Sequence, residues 1–248
     1  MTPTFHSIAY AGLEIANPTR LDAVRALIAR AGPGAGAHAI DIGAGAGAVS
    51  LLLARDFGLK VSAIERYPDM AEMIRERAEA AGPGGRVEVI AEDSATALTG
   101  LPTAELIVAL GTTEPAGPGV RAASDIFTRL AESLTSPGWL IWGDLTWKGE
   151  PPEPLRQIIG ATGDYANHEG WLDAAKLAGL EVVSAEIAPD ADWDAYLGGA
   201  DARVRAWLEA NPDHPAADAI RTRADRVKSM FDFGRPWLDF GLYLFRKP

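Results

Sequence analysis

Apolar residues along this chain fall into short runs separated by stretches of helical periodicity. Residues 38–42 (His-Ala-Ile-Asp-Ile) form the first run, followed by a glycine-rich turn and an apolar helix over 47–56. Residues 60–65 (Lys-Val-Ser-Ala-Ile-Glu) read as a second strand, and 69–81 as a helix of strong helix formers with charges along one face. Residues 86–91 and 105–110 supply a third and a fourth strand, 119–134 a helix and 139–143 a fifth strand. Strands alternating with helices predict an α/β fold of parallel βαβ units with right-handed crossovers.

After Asp144 the pattern changes. Lys148-Gly149-Glu150-Pro151-Pro152-Glu153-Pro154 interrupts regular structure, a helix over 169–178 leads into a sixth strand over 180–187, and 240–246 reads as the last strand. Residues 188–238 carry no sheet pattern but two helical segments, 202–210 and 216–231, separated by Asn211-Pro212-Asp213. In a doubly wound sheet ending in an antiparallel hairpin, so long an excursion predicts a helical cap over the carboxyl edge of the strands. The expected division is therefore a core of residues 1–187 and 239–248 with a cap insertion of 188–238. All seven Trp lie after residue 138, where they pack this half of the chain and leave two or three to line an aromatic pocket.

A chain of 248 residues with 48% hydrophobic and 23% charged residues has the proportions of one large globular domain or a domain with an insertion. Its formal charge of −11 opposes phosphate backbones and anionic lipid, so neither nucleic acid nor membrane is an expected partner. Cysteine is absent, which removes disulfides, thiolate metal sites and cysteine nucleophiles. The first residues lack the basic start and apolar core of a signal peptide, and no apolar run reaches the ~18 residues of a membrane span, so a cytoplasmic protein is expected. Its Ala and Gly content reads as the coding bias of a GC-rich bacterial genome. Glu186, Asp190, Asp192, Asp194 and Asp201 lack His partners and ligand spacing, so they read as a solvated acidic surface and no metal is expected.

The stretch that carries chemistry is Asp41-Ile42-Gly43-Ala44-Gly45-Ala46-Gly47, between a strand and a helix. Glycines there allow a tight turn and let a ligand lie against backbone at the positive end of the following helix. Gly43, Gly45 and Ala48 also satisfy the dinucleotide fingerprint G-x-G-x-x-G/A, and Glu65 suits a ribose in either scheme. Asp41 offers a carboxylate suited to an amino-acid ammonium, which a pyrophosphate site has no reason to keep. Asp93, followed by Ser94, can accept from an adenine amine. An acid at the end of each of three consecutive strands favours a cationic, sulfonium-bearing nucleoside. None of the five Tyr is followed four residues later by Lys, the pair of a short-chain dehydrogenase.

This D-x-G-x-G-x-G with Glu65 and Asp93 resembles the class I S-adenosylmethionine-dependent methyltransferases over about residues 17–145. The resemblance implies a Rossmann-like sheet of seven strands, mostly parallel with the last antiparallel, and helices on both faces. It implies Asp41 near the methionine amino group, Gly43 and Gly45 under the cofactor, Glu65 on the ribose with Arg66 beside it, and Asp93 with Ser94 at the adenine. Leu110, Gly111 and Thr112 would end the fourth strand beside the methyl group. Asn17-Pro18, Gly143-Asp144, Asp192-Trp193-Asp194-Ala195-Tyr196 and Arg205-Ala206-Trp207-Leu208-Glu209-Ala210-Asn211-Pro212 are similar to a group of bacterial small-molecule methyltransferases that share the helical segment before the last strand. Asn17 joins the cofactor set on that likeness. Ala44 replaces the cysteine of their usual D-x-G-C-G, at a point where backbone does the holding.

Methyl transfer from a sulfonium needs alignment first, and a base only where the acceptor must lose a proton. His168 and Asp144 are the candidate catalytic residues, the first because an imidazole is suited to take a proton from a hydroxyl or amine, the second for its place at the end of the fifth strand. Tyr10, Thr112, Glu114, Trp147, Trp193 and Tyr196 are the candidate acceptor-binding residues, with Trp193 and Tyr196 on one face of a short helix. The expected activity is methyl transfer to an oxygen, nitrogen or carbon of a small aromatic or apolar acceptor, by a monomer or homodimer. A nicotinamide-dependent Rossmann oxidoreductase and a non-catalytic nucleoside-binding regulator are the alternatives.

Overall fold

In a computed structural model that describes residues 3–10, 12–82 and 86–248, the seven apolar runs become strands. They are β1 (His38–Ile42), β2 (Lys60–Ile64), β3 (Val87–Ile90), β4 (Ala104–Leu110), β5 (Leu134–Trp147), β6 (Glu181–Ile187) and β7 (Leu238–Lys247). One sheet contains them in the order β3-β2-β1-β4-β5-β7-β6. Pairing is parallel from β3 through β5, and β7 runs antiparallel to both β5 and β6. The chain reverses its winding direction between β1 and β4, which opens a crevice at their carboxyl ends, where open α/β sheets bind ligands.

Ten helices surround the sheet among the described residues: α1 (Phe5–Ala9), α2 (Leu21–Ala31), α3 (Ala48–Asp56), α4 (Pro68–Ala80), α5 (Ser94–Gly100), α6 (Ala123–Glu132), α7 (Glu153–Gly160), α8 (His168–Leu177), α9 (Asp190–Ala210) and α10 (Ala217–Gly234). None is long and apolar enough to cross a membrane. On one face of the sheet, α6 and α8 pack Phe127 and Trp171 against Trp142, with ring centroids 5.2–5.8 Å apart. On the other, Val24 and Ile28 of α2 and Leu52 and Leu53 of α3 cover Val61, Val108 and Ile141. Burial on both faces explains why the parallel strands read as continuous apolar runs.

The structure corrects several expectations. The helix predicted over 119–134 begins only at Ala123, because Gly117 and Gly119 take positive φ in the turn before it. β5 extends well beyond 139–143, because β7 pairs with it from Gly138 to Trp147 and supplies ladder bonds that no local pattern announces. The first helical segment expected between the last two strands begins at Asp190 rather than 202 and runs 21 residues through Gly198-Gly199. Buried Trp193 ties its first turns to Phe231 and Phe240, and Asp190 and Asp192 lie favourably near its positive end. Phe5 and Ala9 of α1 share an apolar cluster with Val204 of α9 and Ile220 of α10, so the amino-terminal segment packs with those two helices.

Candidate active site

The glycine turn after β1 sits at the crevice. The amides of Gly43 and Ala44 both donate to the carbonyl of Ile64, at 2.9 and 3.0 Å, which ties the turn to the end of β2. Gly43 has φ +70°, and a Cβ there would lie 2.3 Å from Thr112 Oγ1. The Thr112 hydroxyl is itself committed, donating to the Ile42 carbonyl at 2.7 Å. Backbone at Gly43 is therefore both left-handed and closed in by a neighbour, the circumstances in which only glycine serves.

Each predicted acid lines the cavity at this turn. Glu65 is buried, and its carboxylate accepts from the amides of Gly45 and Tyr67, each at 2.9 Å. Burial raises its pKa, and those two hydrogen bonds oppose the rise. Asp41 is buried and accepts from Ser50 Oγ at 2.5 Å. Burial pushes it up to about 6 against the Ser50 hydrogen bond. Asp93 caps α5, accepting from the amide and hydroxyl of Thr96 at 3.0 and 2.7 Å. Ser94 donates its hydroxyl to the Glu114 carbonyl at 2.9 Å. Asn17 donates to the Leu110 carbonyl at 3.1 Å, while its Oδ1 is buried with no partner among the described residues. The Arg66 guanidinium lies 5.1 Å from the Tyr67 ring centre.

These residues line one cavity of about 340 Å³, together with Leu110, Gly111 and Thr112. It continues past the strand ends to Tyr10 of the segment after α1, Trp193 and Tyr196 of α9, and Phe231 of α10. The Tyr10 and Tyr196 rings stack 6.2 Å apart, and burial raises the pKa of both phenols, so they remain protonated hydrogen-bond donors. Asp144, near the end of β5, is 7% exposed and also lines the cavity. Glu114 does too, but its carboxylate is held by the Gly119 amide at 3.0 Å.

Two candidates are not brought there. His168 begins α8 and its Nδ1 lies 3.1 Å from the Tyr243 hydroxyl, because the Asn167 cap turns the helix start over β7 rather than toward the crevice. Trp147 packs with Leu155, Ile159 and Leu238, since the extension of β5 carries it onto α7. Sequence reasoning missed Arg223, Val227, Met230 and Phe231, which line the cavity from α10 at helical spacing, and Thr162 and Tyr165 from the loop before α8. The i, i+4, i+7, i+8 pattern on α10 was the available signal.

The donor set suits S-adenosylmethionine: a buried carboxylate and an unpartnered amide oxygen for an amino-acid group, a glycine cradle against which backbone can approach, and acids at the ends of three strands. This combination of fold and site defines the class I S-adenosylmethionine-dependent methyltransferases. The profile of the family described as "Precorrin methyltransferase domain" matches residues 19–150, and the chain belongs to that family. YjhP of Escherichia coli (strain K12) is 28% identical over 194 residues, 77% of this chain and 76% of that protein. Its X-ray structure superimposes with a TM-score of 0.81 at 25% identity, covering 99% of this chain and 100% of that one. An S-adenosylmethionine-dependent methyltransferase from Geobacter sulfurreducens in complex with S-adenosylhomocysteine matches with TM-score 0.82 and 26% identity over 100% of this chain and 99% of that one. A counterpart from Thiobacillus denitrificans, also with S-adenosylhomocysteine, matches with TM-score 0.80 and 25% identity over the same shares. This protein is an S-adenosylmethionine-dependent methyltransferase, and the nicotinamide alternative left open by the glycine turn falls away.

The burial of Asp144 has a measurable consequence. Its pKa is pushed up to about 8 by desolvation, opposed only by the Leu145 amide that donates to Oδ1 at 2.8 Å. A carboxyl raised in the folded state stabilises fully below its unfolded value and loses that contribution as pH rises toward 8. The loss amounts to about 1.4 kcal/mol per pH unit between about pH 4 and 8. Asp144→Asn should remove it, so the melting temperature of the variant relative to wild type rises steadily from pH 5 to pH 8. A constant difference across that range would show the carboxyl to be ionised throughout.

Proposed function

We propose that this enzyme methylates a small, largely apolar acceptor held between the strand ends and a cap formed by residues 188–238. The observation that carries this reading is one cavity shared by the glycine turn and the aromatic wall of Tyr10, Trp193, Tyr196 and Phe231. Bound S-adenosylmethionine supplies a methyl group on a cationic sulfur, which leaves as the neutral thioether of S-adenosylhomocysteine. In this reading Asp41 and Asn17 hold the cofactor's amino-acid end, Glu65 with Arg66 its ribose, and Asp93 and Ser94 its adenine. The aromatic side chains exclude water and orient the acceptor, which is where alignment lowers the barrier. Asp144 is the remaining candidate to take a proton from the attacking atom.

Size and charge both argue against a large anionic acceptor such as a precorrin, a macrocycle bearing many carboxylates. About 340 Å³ serves cofactor and acceptor together, and its lining carries seven carboxyl groups against two guanidinium groups, Arg66 and Arg223. The test is S-adenosylhomocysteine release with a panel of small aromatic amines, phenols and polycarboxylates. Turnover is expected with a compact apolar acceptor, and Tyr196→Ala should raise the acceptor KM about tenfold while leaving cofactor affinity unchanged. Turnover confined to polycarboxylates would sink the reading.

A further inference from the structure

We propose that Asp144 selects the acceptor class: the acceptor is a small apolar amine whose nitrogen hydrogen-bonds to the Asp144 carboxylate near the end of β5. This rests on the small-acceptor reading above and narrows it.

The buried acids of the cavity are unequally satisfied. Asp41 has Ser50, and Glu65 has the amides of Gly45 and Tyr67. Asp144 has only the adjacent Leu145 amide, on Oδ1, and among the described residues no Lys, Arg or His forms an ion pair with it. A carboxyl removed from water without a counter-charge is costly, and the fold keeps one facing a ligand cavity. An ammonium supplies both the missing charge and the missing donors, and charge-assisted hydrogen bonds of this kind are about twice as strong as neutral ones. The ammonium then passes one proton to the Asp144 carboxylate, so that the lone pair of the neutral amine forms the new N–C bond as the methyl–sulfur bond breaks and S-adenosylhomocysteine leaves.

The surroundings favour the same ligand. Tyr165 and Phe240 line the cavity with Asp144, and aromatic faces attract an organic cation. The excess of carboxyl groups in the lining repels an anionic acceptor and concentrates a cationic one. The titratable groups that sense the Asp144 charge are Tyr165 and Tyr243, phenols whose pKa burial raises. Arg121 acts on Tyr165, while Glu169 and Asp239 act on Tyr243. Asp144 is thus the member of this group that changes charge when an ammonium docks near neutral pH.

The experiment is calorimetric titration of the full-length protein, saturated with S-adenosylhomocysteine, at pH 7. The probes are 2-phenylethylamine, 2-phenylethanol and phenylacetate, in buffers of different ionisation enthalpy. Saturation keeps the Asp41 region in one state throughout. The amine is expected to bind at least about tenfold more tightly than the alcohol, with release of close to one proton as Asp144 ionises. Asp144→Asn should abolish both the preference and the proton release, and its titration with S-adenosylhomocysteine reports that it is folded. Alcohol and amine binding equally, without proton release, would overturn the amine assignment and leave the small-acceptor reading standing. Phenylacetate binding most tightly would also overturn it and move the anchor to Arg223. Failure of all three probes to bind would overturn both readings.

Discussion

Replacing Asp41 by Asn is expected to weaken S-adenosylmethionine binding by about 10- to 100-fold, the effect of losing a charge-assisted hydrogen bond of roughly 1.5–3 kcal/mol. The isosteric change keeps the side-chain volume beside Ser50, so the loss is in charge rather than packing. Asp41 is 4% exposed and accepts from Ser50 at 2.5 Å, which fixes its orientation and leaves its charge to be met by a ligand. Its pKa of about 6 sets the pH dependence. A cation binds the ionised form, so cofactor affinity should rise with pH through about 6 and level off above 7. The Asp41→Asn variant should show weak affinity without that rise. Calorimetric titration at pH 5, 6, 7 and 8 decides the matter, and equal affinities for wild type and variant at pH 7 would remove Asp41 from the cofactor site.

Gly43→Ala is expected to lower stability by roughly 2–4 kcal/mol, which for a chain of this size is about 5–15 °C in Tm. The new Cβ would lie 2.3 Å from Thr112 Oγ1 and 2.6 Å from its Cγ2, at φ +70°. Thr112 has little freedom to retreat, because its hydroxyl holds the Ile42 carbonyl at 2.7 Å and so joins the ends of β1 and β4. Gly45→Ala is the control: it shares a positive φ of +56°, but a Cβ there meets nothing nearer than the Gly43 carbonyl oxygen at 3.9 Å. Its cost should be about 1 kcal/mol, from backbone strain alone. Thr112→Ala removes both clashing atoms, so the Gly43→Ala/Thr112→Ala double variant should recover part of the loss, a coupling visible in a double-mutant cycle. A Gly43→Ala protein as stable as wild type would show that the turn is looser than the contact with Thr112 implies.

Asp41, Gly43, Gly45, Glu65 and Asp93 were legible in the sequence because each lies at the end of a strand or in the turn just after it. Their places follow from local periodicity plus the rule that ligands sit at the carboxyl edge of an open α/β sheet. The extent of β5 was not legible, because its ladder partner lies a hundred residues away in β7. Trp147 and His168 were misplaced for the same reason, since pairing and packing with β7 and α7 decide where those side chains go.

By itself the sequence determined the alternation of strands and helices and marked the acids and glycines that the fold gathers along one cavity. These are properties of short segments whose periodicity dictates which face is buried. How the residues beyond the strand ends are grouped was decided only by the tertiary structure. Tyr10, Asp144, Tyr165, Trp193, Phe231 and Phe240 come from six separate segments and meet because α1, α9 and α10 close over the strand ends. That closure is driven by apolar burial, which is non-directional, so a local pattern such as that of α10 marks a buried face without saying which segments it meets.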